Sequence, residues 1–480
     1  ISKALNNVSN VFSDSENIVN IKISDSAAKK INIMGLKGDW KNVATGKVYT
    51  ASQIAALEAG GGEYKKATEE DILNDTANNT VNNTLNNTLS NNIYWYLKNS
   101  GKELHLSSIL PTATEYVAGN TYYHDECLSD NEKTKVEKIV FDSVIKPTNC
   151  QFWFQHFTNL TTFENMKNLD TSNVTSMHAM FGDCPKLTSI DLSNFDTSNV
   201  KTMPFMFKDC KGLKSIDVSK FNTSNVTTMS FMFEGCTSLT SLDLSNFDTS
   251  NVSDFDHIIY GTTGLKSLNI SGFDFTKYCT DYWAEGVTPK FKYLYCDDGV
   301  PDVFLETINC SNVNFSKLNL ENAFQYFEVV KSINFTGANT SQVTNMHNMF
   351  DWCKSLESLD LSSFDTSNVT DMSYMFDMTD SINKSYLATI YGLADFDVSN
   401  VTNMDYMFHE CRSLSADLSS WNPISLLTIK HCYENTRNLD IRPLENWTDI
   451  IVNNNVNYEN CFDNFSCYSV QRNFKPSWYK

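Results

Sequence analysis

The phrase Phe-Asp-Thr-Ser-Asn-Val-x-x-Met-x-x-Met-Phe-x-x-Cys-x-x-Leu-x-Ser-Leu/Ile-Asp-Leu-Ser recurs along the chain at a constant pitch. In-phase copies begin at Asp170, Asp196, Asn222 and Asp248, each 26 residues after the last (196−170, 222−196, 248−222). A unit this short cannot enclose its own apolar face, so the copies must stack and share one elongated core. The pitch overrides the length prior. A chain of 480 residues would ordinarily suggest about three domains, but a stack grows by adding neighbours.

The coil that begins at Asp196 shows how one copy works. Met203, Met206, Phe207, Cys210 and Leu213 fall at spacings that keep them on one side of a short helix or of successive turns. Lys214 to Ser219 then alternates, with Leu213, Ile216 and Val218 directed inward and Ser215 and Asp217 outward, as in a strand. Asp196, Thr197, Ser198 and Asn199 make the corner, where short polar side chains can bond local backbone and cap the next turn. The Asn slot (Asn173, Asn199, Asn225, Asn251, Asn368, Asn400) reads as an internal ladder serving backbone groups of adjacent coils. Several of its members open an Asn-Val-Thr/Ser glycosylation tripeptide, which a buried ladder would protect from modification.

Of thirteen cysteines, Cys184, Cys210, Cys236, Cys353 and Cys411 sit three residues after the Phe of a Met-Phe pair. They share one slot and are expected as small buried hydrophobes with free thiols, since parallel Cβ vectors hinder bridging. Cys279, Cys296, Cys310, Cys461 and Cys467 lie outside it and are the better candidates for disulfides.

The organisation follows from where the pattern holds. Residues 1–144 show no repeat and are expected as a smaller attachment or assembly module; 17–24 alternates like a strand and 52–59 reads as a short helix. An Asn/Thr-rich tract at 76–91 places apolar residues every fourth position, as either a partner-stabilised helix or a flexible spacer. The solenoid is expected over 145–447, opening with a degenerate coil around Phe157, Leu160, Phe163 and Met166. It carries insertions near 274–310 and 378–395; Asp365 follows Asn339 by 26, whereas Asp397 follows Asp365 by 32 (365−339, 397−365). Residues 448–480 read as the cap that the last coil of any such stack requires.

These motifs resemble the BspA-type branch of the leucine-rich-repeat proteins, the short repeats common in mycoplasma lipoproteins and in surface proteins of gut and oral bacteria. The likeness covers roughly 150–447, and the terminal Pro-Ser-Trp-Tyr is similar to endings found there. The resemblance implies an α/β repeat solenoid: a right-handed, leucine-rich-repeat-like stack of parallel β with short helices or turns, displayed on a surface and used for adhesion.

Three places could carry binding. Asp191, Asp217, Asp243 and Asp360 take the outward strand slot, with Asn269 and Asn334 in weaker copies. Carboxylates stacked about 5 Å apart repel, so calcium, protons or hydroxyl donors must offset them. The flanking Ser189, Ser215 and Ser241 can do so, and no metal is expected. The slot before the second Met holds Phe205, Phe231, Tyr374 and Tyr406, with Ala179 and Asn348 in other copies. Facing solvent it would be an aromatic platform; otherwise it is packing between coils. The insertion brings Tyr278, Tyr282, Trp283, Tyr293 and Tyr295 together and is the preferred binding element, because long loops leaving a scaffold often carry recognition.

Catalysis has little support. No nucleophile elbow, phosphate loop or zinc spacing occurs; His124 to Cys127 lacks a partner motif, and His409 to Cys411 falls in a repeat slot. The formal charge of −20 argues against nucleic acid or an anionic bilayer as partner. No run of eighteen apolar residues suggests membrane insertion. The reading is a non-enzymatic, cofactor-free recognition protein, extracellular or on a cell surface, that binds a protein or glycan of another cell. The N-terminal module is where a homo-oligomer would form. The alternative is a phage virion fibre or decoration protein using the same solenoid for host contact, toward which the stalk-like tract and the lack of a visible cell anchor lean.

Overall fold

The computed structural model describes residues 93–109, 128–278, 290–296, 304–379, 386–440, 442–463 and 476–479, with four strands of backbone before them. The chain divides into two compact units, Ile1–Ser90 and Asn91–Lys480. In the first, β1 (Asn20–Ile23), β2 (Asp39–Asn42), β3 (Val48–Thr50) and β4 (Gly62–Lys66) form an antiparallel sheet in the order β1-β4-β2-β3. The alternating stretch at 17–24 thus supplies β1. The expected helix at 52–59 and the Asn/Thr tract at 76–91 lie outside the described residues.

The second unit opens with an antiparallel hairpin of β5 (Tyr94–Lys98) and β6 (Glu103–Ser107). From β6 onward every strand pair is parallel: β6 with β7 (Lys138–Phe141), and β7 with β8 (Thr162–Glu164). The stack therefore starts upstream of Ile145. Its first strands, Glu-Leu-His-Leu-Ser and Lys-Ile-Val-Phe, alternate or run apolar without the repeat's own residues, so a search for the phrase passes over them. Further along, β9 (Ser241–Asp243), β10 (Ser267–Asn269), β11 (Thr307–Asn309) and β12 (Ser332–Asn334) pair in register, as do β13 (Ser358–Asp360) and β14 (Thr389–Tyr391). Each of β9 to β14 buries its middle apolar residue.

The Met-x-x-Met-Phe segments are successive turns, not helices. Among the described residues the α-helices are α1 (Asp130–Lys133) and α2 (Thr448–Asn453). The N–H groups of Met177, Ala179, Phe181 and Asp183 donate to the carbonyls of Thr202, Pro204, Met206 and Lys208 in the next coil, at 2.7 to 2.9 Å. A helix would spend those donors on itself; here every second one ties coil to coil. The alternation is made possible by positive φ at Ala179 (48°) and Asp183 (58°), repeated at Phe205 (57°) and Asp209 (53°).

Identical side chains then stand over one another. Phe181, Phe207 and Phe233 stack at centroid distances of 5.5 and 5.6 Å, and Phe324, Phe350, Phe376 and Phe408 at 5.6 to 5.7 Å, nearly parallel throughout. The slot cysteines are free and buried, as expected. The thiols of Cys184, Cys210 and Cys236 each donate at 3.1 Å to the carbonyl of Phe154, Phe181 and Phe207 in the preceding coil. Cys310 and Cys461, expected as bridge candidates, are also buried free thiols, because they fill core positions of the stack. Cys296 is buried, and Cys279 and Cys467 lie outside the described residues.

Two corner ladders differ from expectation. The Asn ladder exists, but on the surface: exposed Asn199, Asn225 and Asn251 donate to the carbonyls of Ser172, Ser198 and Ser224 at 2.7 to 2.8 Å. The buried ladder is made of threonine. Thr197, 1% exposed, donates its hydroxyl to the Asn222 carbonyl at 2.9 Å and accepts the Asn222 N–H at 2.7 Å. Thr171, Thr223 and Thr340 serve the equivalent backbone oxygens. Threonine's short hydroxyl reaches a backbone pair inside the corner, which the longer amide cannot enter.

At the far end, the indole N–H groups of Trp421, Trp447 and Trp478 donate to Leu393, Trp421 and Leu444 carbonyls at 2.9 to 3.1 Å. Trp478 is buried against Tyr458 and Phe462, so the Pro-Ser-Trp-Tyr motif closes onto the last coils.

Candidate functional site

The residue before the second Met occupies left-handed backbone in copy after copy: φ is 57° at Phe205, Phe231 and Tyr406, 56° at Tyr374 and 58° at His257. Bulky side chains avoid this region, at a cost on the order of 1–3 kcal/mol each. The turn geometry enforces it, and it swings the ring out of the core, where Phe205, Phe231, Tyr374 and Tyr406 all lie half-buried.

The result is a ladder of rings in two flights. Phe205 and Phe231 stack at 4.8 Å and 3° between planes, and Phe231 continues onto His257 at 4.8 Å and 4°. Where the slot holds Ala179, the adjacent His178 fills the gap, stacking on Phe205 at 5.5 Å and meeting Phe152 at 4.7 Å. The second flight runs Tyr374, Tyr406, His431, at 4.6 and 4.5 Å. Between the flights the slot holds Asn322 and Asn348, joined at 3.0 Å. Sequence reasoning found the Phe and Tyr members and missed His178, His257 and His431, although the last two fall in the same slot.

Parallel stacking uses up the ring faces, leaving edges toward solvent. The ladder is therefore both alternatives weighed from sequence: packing between coils and a partly exposed row. Its chemistry is that of edges, which carry positive C–H character, and of polar tips. Burial and the neighbouring Tyr406 push the Tyr374 hydroxyl up to about 12, so it stays a donor at neutral pH. Burial pushes His178 down, favouring its neutral form.

The tyrosines of the insertion that fall among the described residues are not presented to solvent. Tyr278, Tyr293 and Tyr295 are buried. Tyr278 donates its hydroxyl to Asp256, the Tyr293 carbonyl accepts the His257 N–H at 2.7 Å, and the Tyr295 hydroxyl donates to Ala323 at 2.5 Å. Residues 290–296 supply the core segment that the defective copy lacks, with Phe291 packing between Phe275 at 6.0 Å and Phe324 at 5.1 Å. Tyr282 and Trp283 lie outside the described residues.

The aspartates of the strand face are satisfied locally. Asp191, Asp217, Asp243 and Asp360 each accept the N–H of the serine two residues on, at 2.9 to 3.0 Å. Bonds from Ser193 and Ser219 hold the Asp191 and Asp217 carboxyls below the usual range. Among the described residues no group of three or more His, Cys, Asp or Glu could hold a metal ion, and no helix is long and apolar enough to cross a membrane. The cluster His409 to Cys411 is dispersed by the fold, with Cys411 turned into the core and His409 facing Asp377. His124 to Cys127 lies outside the described residues.

The repeated segments match the family model described as "Mycoplasma protein of unknown function, DUF285" over residues 148–275, 318–447 and 388–474, together more than half of the chain. The chain belongs to this family. No curated protein matches this DUF285 chain. Among solved structures it is similar to a leucine-rich repeat protein from Eubacterium ventriosum, at 16% identity and a TM-score of 0.25, covering 82% of this chain and 96% of that one. It is also similar to the functional domain of InlJ from Listeria monocytogenes, which includes a cysteine ladder, at 14% identity and a TM-score of 0.15, over 65% and 70% of the two chains. The Toll–Spatzle complex of Drosophila is similar at 12% identity and a TM-score of 0.19, over 74% of this chain and 63% of that chain.

Proposed function

We propose that this DUF285 protein is a non-enzymatic, BspA-type recognition protein that works outside the cell, and that the ring ladder is its contact surface. The supporting observation is the left-handed backbone under the ring slot. A fold that holds aromatic residues there, at a cost, keeps two runs of stacked, mostly half-buried rings beside its core. Ring edges, tyrosine hydroxyls and histidine nitrogens suit a partner with mixed apolar and polar groups. A protein of another cell surface fits better than a glycan, since sugar stacking needs the ring faces that the ladder has consumed.

Binding of the full chain to a panel of extracellular-matrix proteins and to a glycan array tests this. Wild type should bind one or more proteins, and the variants Phe205→Ala/Phe231→Ala and Tyr374→Ala/Tyr406→Ala should each weaken that binding at least about tenfold while keeping the wild-type circular dichroism. Binding unchanged in both variants would overturn the assignment of the surface.

A further inference from the structure

Three residues after each ring slot runs a second column, between coils. In the first half it holds Lys208 and Glu234, an ion pair. In the second half the same positions read Gln325, Asp351, Asp377, His409, Glu434. Gln325 donates from Nε2 to Asp351 Oδ2 at 2.8 Å. Asp377 Oδ1 receives the Thr379 N–H at 2.9 Å and hydroxyl at 2.7 Å, and lies 2.9 Å from His409 Nδ1. On its other side His409 Nε2 is 3.8 Å from Glu434 Oε2, which is 2.5 Å from His431 Nδ1. Asp351 and Asp377 are 6% and 4% exposed, and Asp351 Oδ1 is buried without a hydrogen-bond partner.

Among the described residues, the nearby permanent cations Lys354 and Arg412 are committed elsewhere. Lys354 lies over the Trp352 ring at 3.9 Å and pairs with Glu328 at 3.1 Å, and Arg412 pairs with Glu410 at 2.6 Å. Glu410 also accepts from Asn435, and Asp405 from Thr428 and the Lys430 N–H, so these two carboxylates have their own donors, while Glu459 acts on Tyr406 from the coil beyond. Tyr326, Tyr374 and Tyr406 face the column as neutral hydroxyls. Among the described residues, Asp351, Asp377 and Glu434 thus share this half of the column with His409 and His431 rather than with a lysine or an arginine.

We propose that this column is a proton-operated latch: protons taken up in mildly acid solution hold the coils around 345–353, 371–379 and 403–411 together, and their loss in mildly alkaline solution loosens them. The first half, built on a lysine pair, has no such dependence. Burial, reinforced by the Asp377 charge, raises the Asp351 carboxyl to about 7. For His409 burial acts downward, but the bond to Asp377 and the charges of Asp377, Glu434 and Glu410 raise it overall. Both folded-state values lie above the unfolded ones, so their stabilisation is full at low pH, declines as pH climbs, and is gone once pH has passed the folded values.

Hydrogen exchange of the full chain at pH 6 and pH 8, with intrinsic rates divided out, reads the latch directly. The Asn348, Phe350 and Trp352 amides donate to the next coil, and so do those of Phe205, Phe207 and Asp209 in the first half. Protection of the first set should fall about tenfold from pH 6 to pH 8, the span expected for one carboxyl titrating near 7, while the second set holds steady. Asp351→Asn should diminish the fall, leaving only the part that His409 contributes. Equal pH response in both sets, or an undiminished fall in Asp351→Asn, would overturn the proposal. Should that variant not fold, the wild-type comparison of the two sets decides alone.

Discussion

A single corner threonine joins three levels of the structure. Thr197 is buried and satisfies both backbone groups of Asn222 in the next coil, so Thr197→Val strands a donor and an acceptor at once. Such a loss costs about 1–3 kcal/mol, and urea unfolding should show that loss for Thr197→Val and a much smaller one for Thr197→Ser. The thiols give a second prediction at this scale. Burial pushes the Cys210 thiol up to about 12, so Cys184, Cys210 and Cys236 should resist iodoacetamide in the native protein at pH 8 and react in urea, as mass spectrometry would reveal. Readable labelling without denaturant would contradict their place in the core. The cysteine slot was legible because its spacing matches the Met and Phe beside it. The exchange of roles between Thr and Asn was not, because both are short polar corner residues and nothing in their spacing says which side faces inward.

At the scale of one element, the turn segment and the strand impose different demands. Gly264 shows how closely coils approach: a Cβ there would lie 2.3 Å from the Thr237 carbonyl oxygen and 3.3 Å from that of Leu239. Gly264→Ala must push two backbones apart, and a loss of more than about 2 kcal/mol in urea unfolding is expected. The strand was legible from its alternation. The turn was half legible: spacings of three and one mark a buried side but fit a helix equally well, and only the donors leaving each coil separate the two. The three described tyrosines of the insertion depart from expectation for a related reason. Tyr293 and Tyr295 belong to the segment that replaces a missing Met-Phe-Cys run, and Tyr278 packs on Phe255 and Phe275; a sequence cannot tell aromatic residues that repair a core from those that display a surface.

Across the whole solenoid, the same slots carry different chemistry in its two halves while the backbone pattern persists. The ring ladder runs from Phe152 to His257 and again from Tyr374 to His431; the neighbouring column is an ion pair in one half and a proton-dependent chain in the other. Periodicity reveals which positions form a column, and so the ladder was named in part from sequence. It does not reveal burial, so the charge balance of Asp351 and Asp377 could not be read. All of this rests on equivalent residues standing one above another. Long-wavelength anomalous diffraction from native crystals places sulfur atoms directly. Cys184, Cys210 and Cys236 Sγ should lie in one straight file at the strand-to-strand spacing, roughly 4.8 Å; sulfur positions scattered or set on different faces would contradict the stacking of equivalent residues.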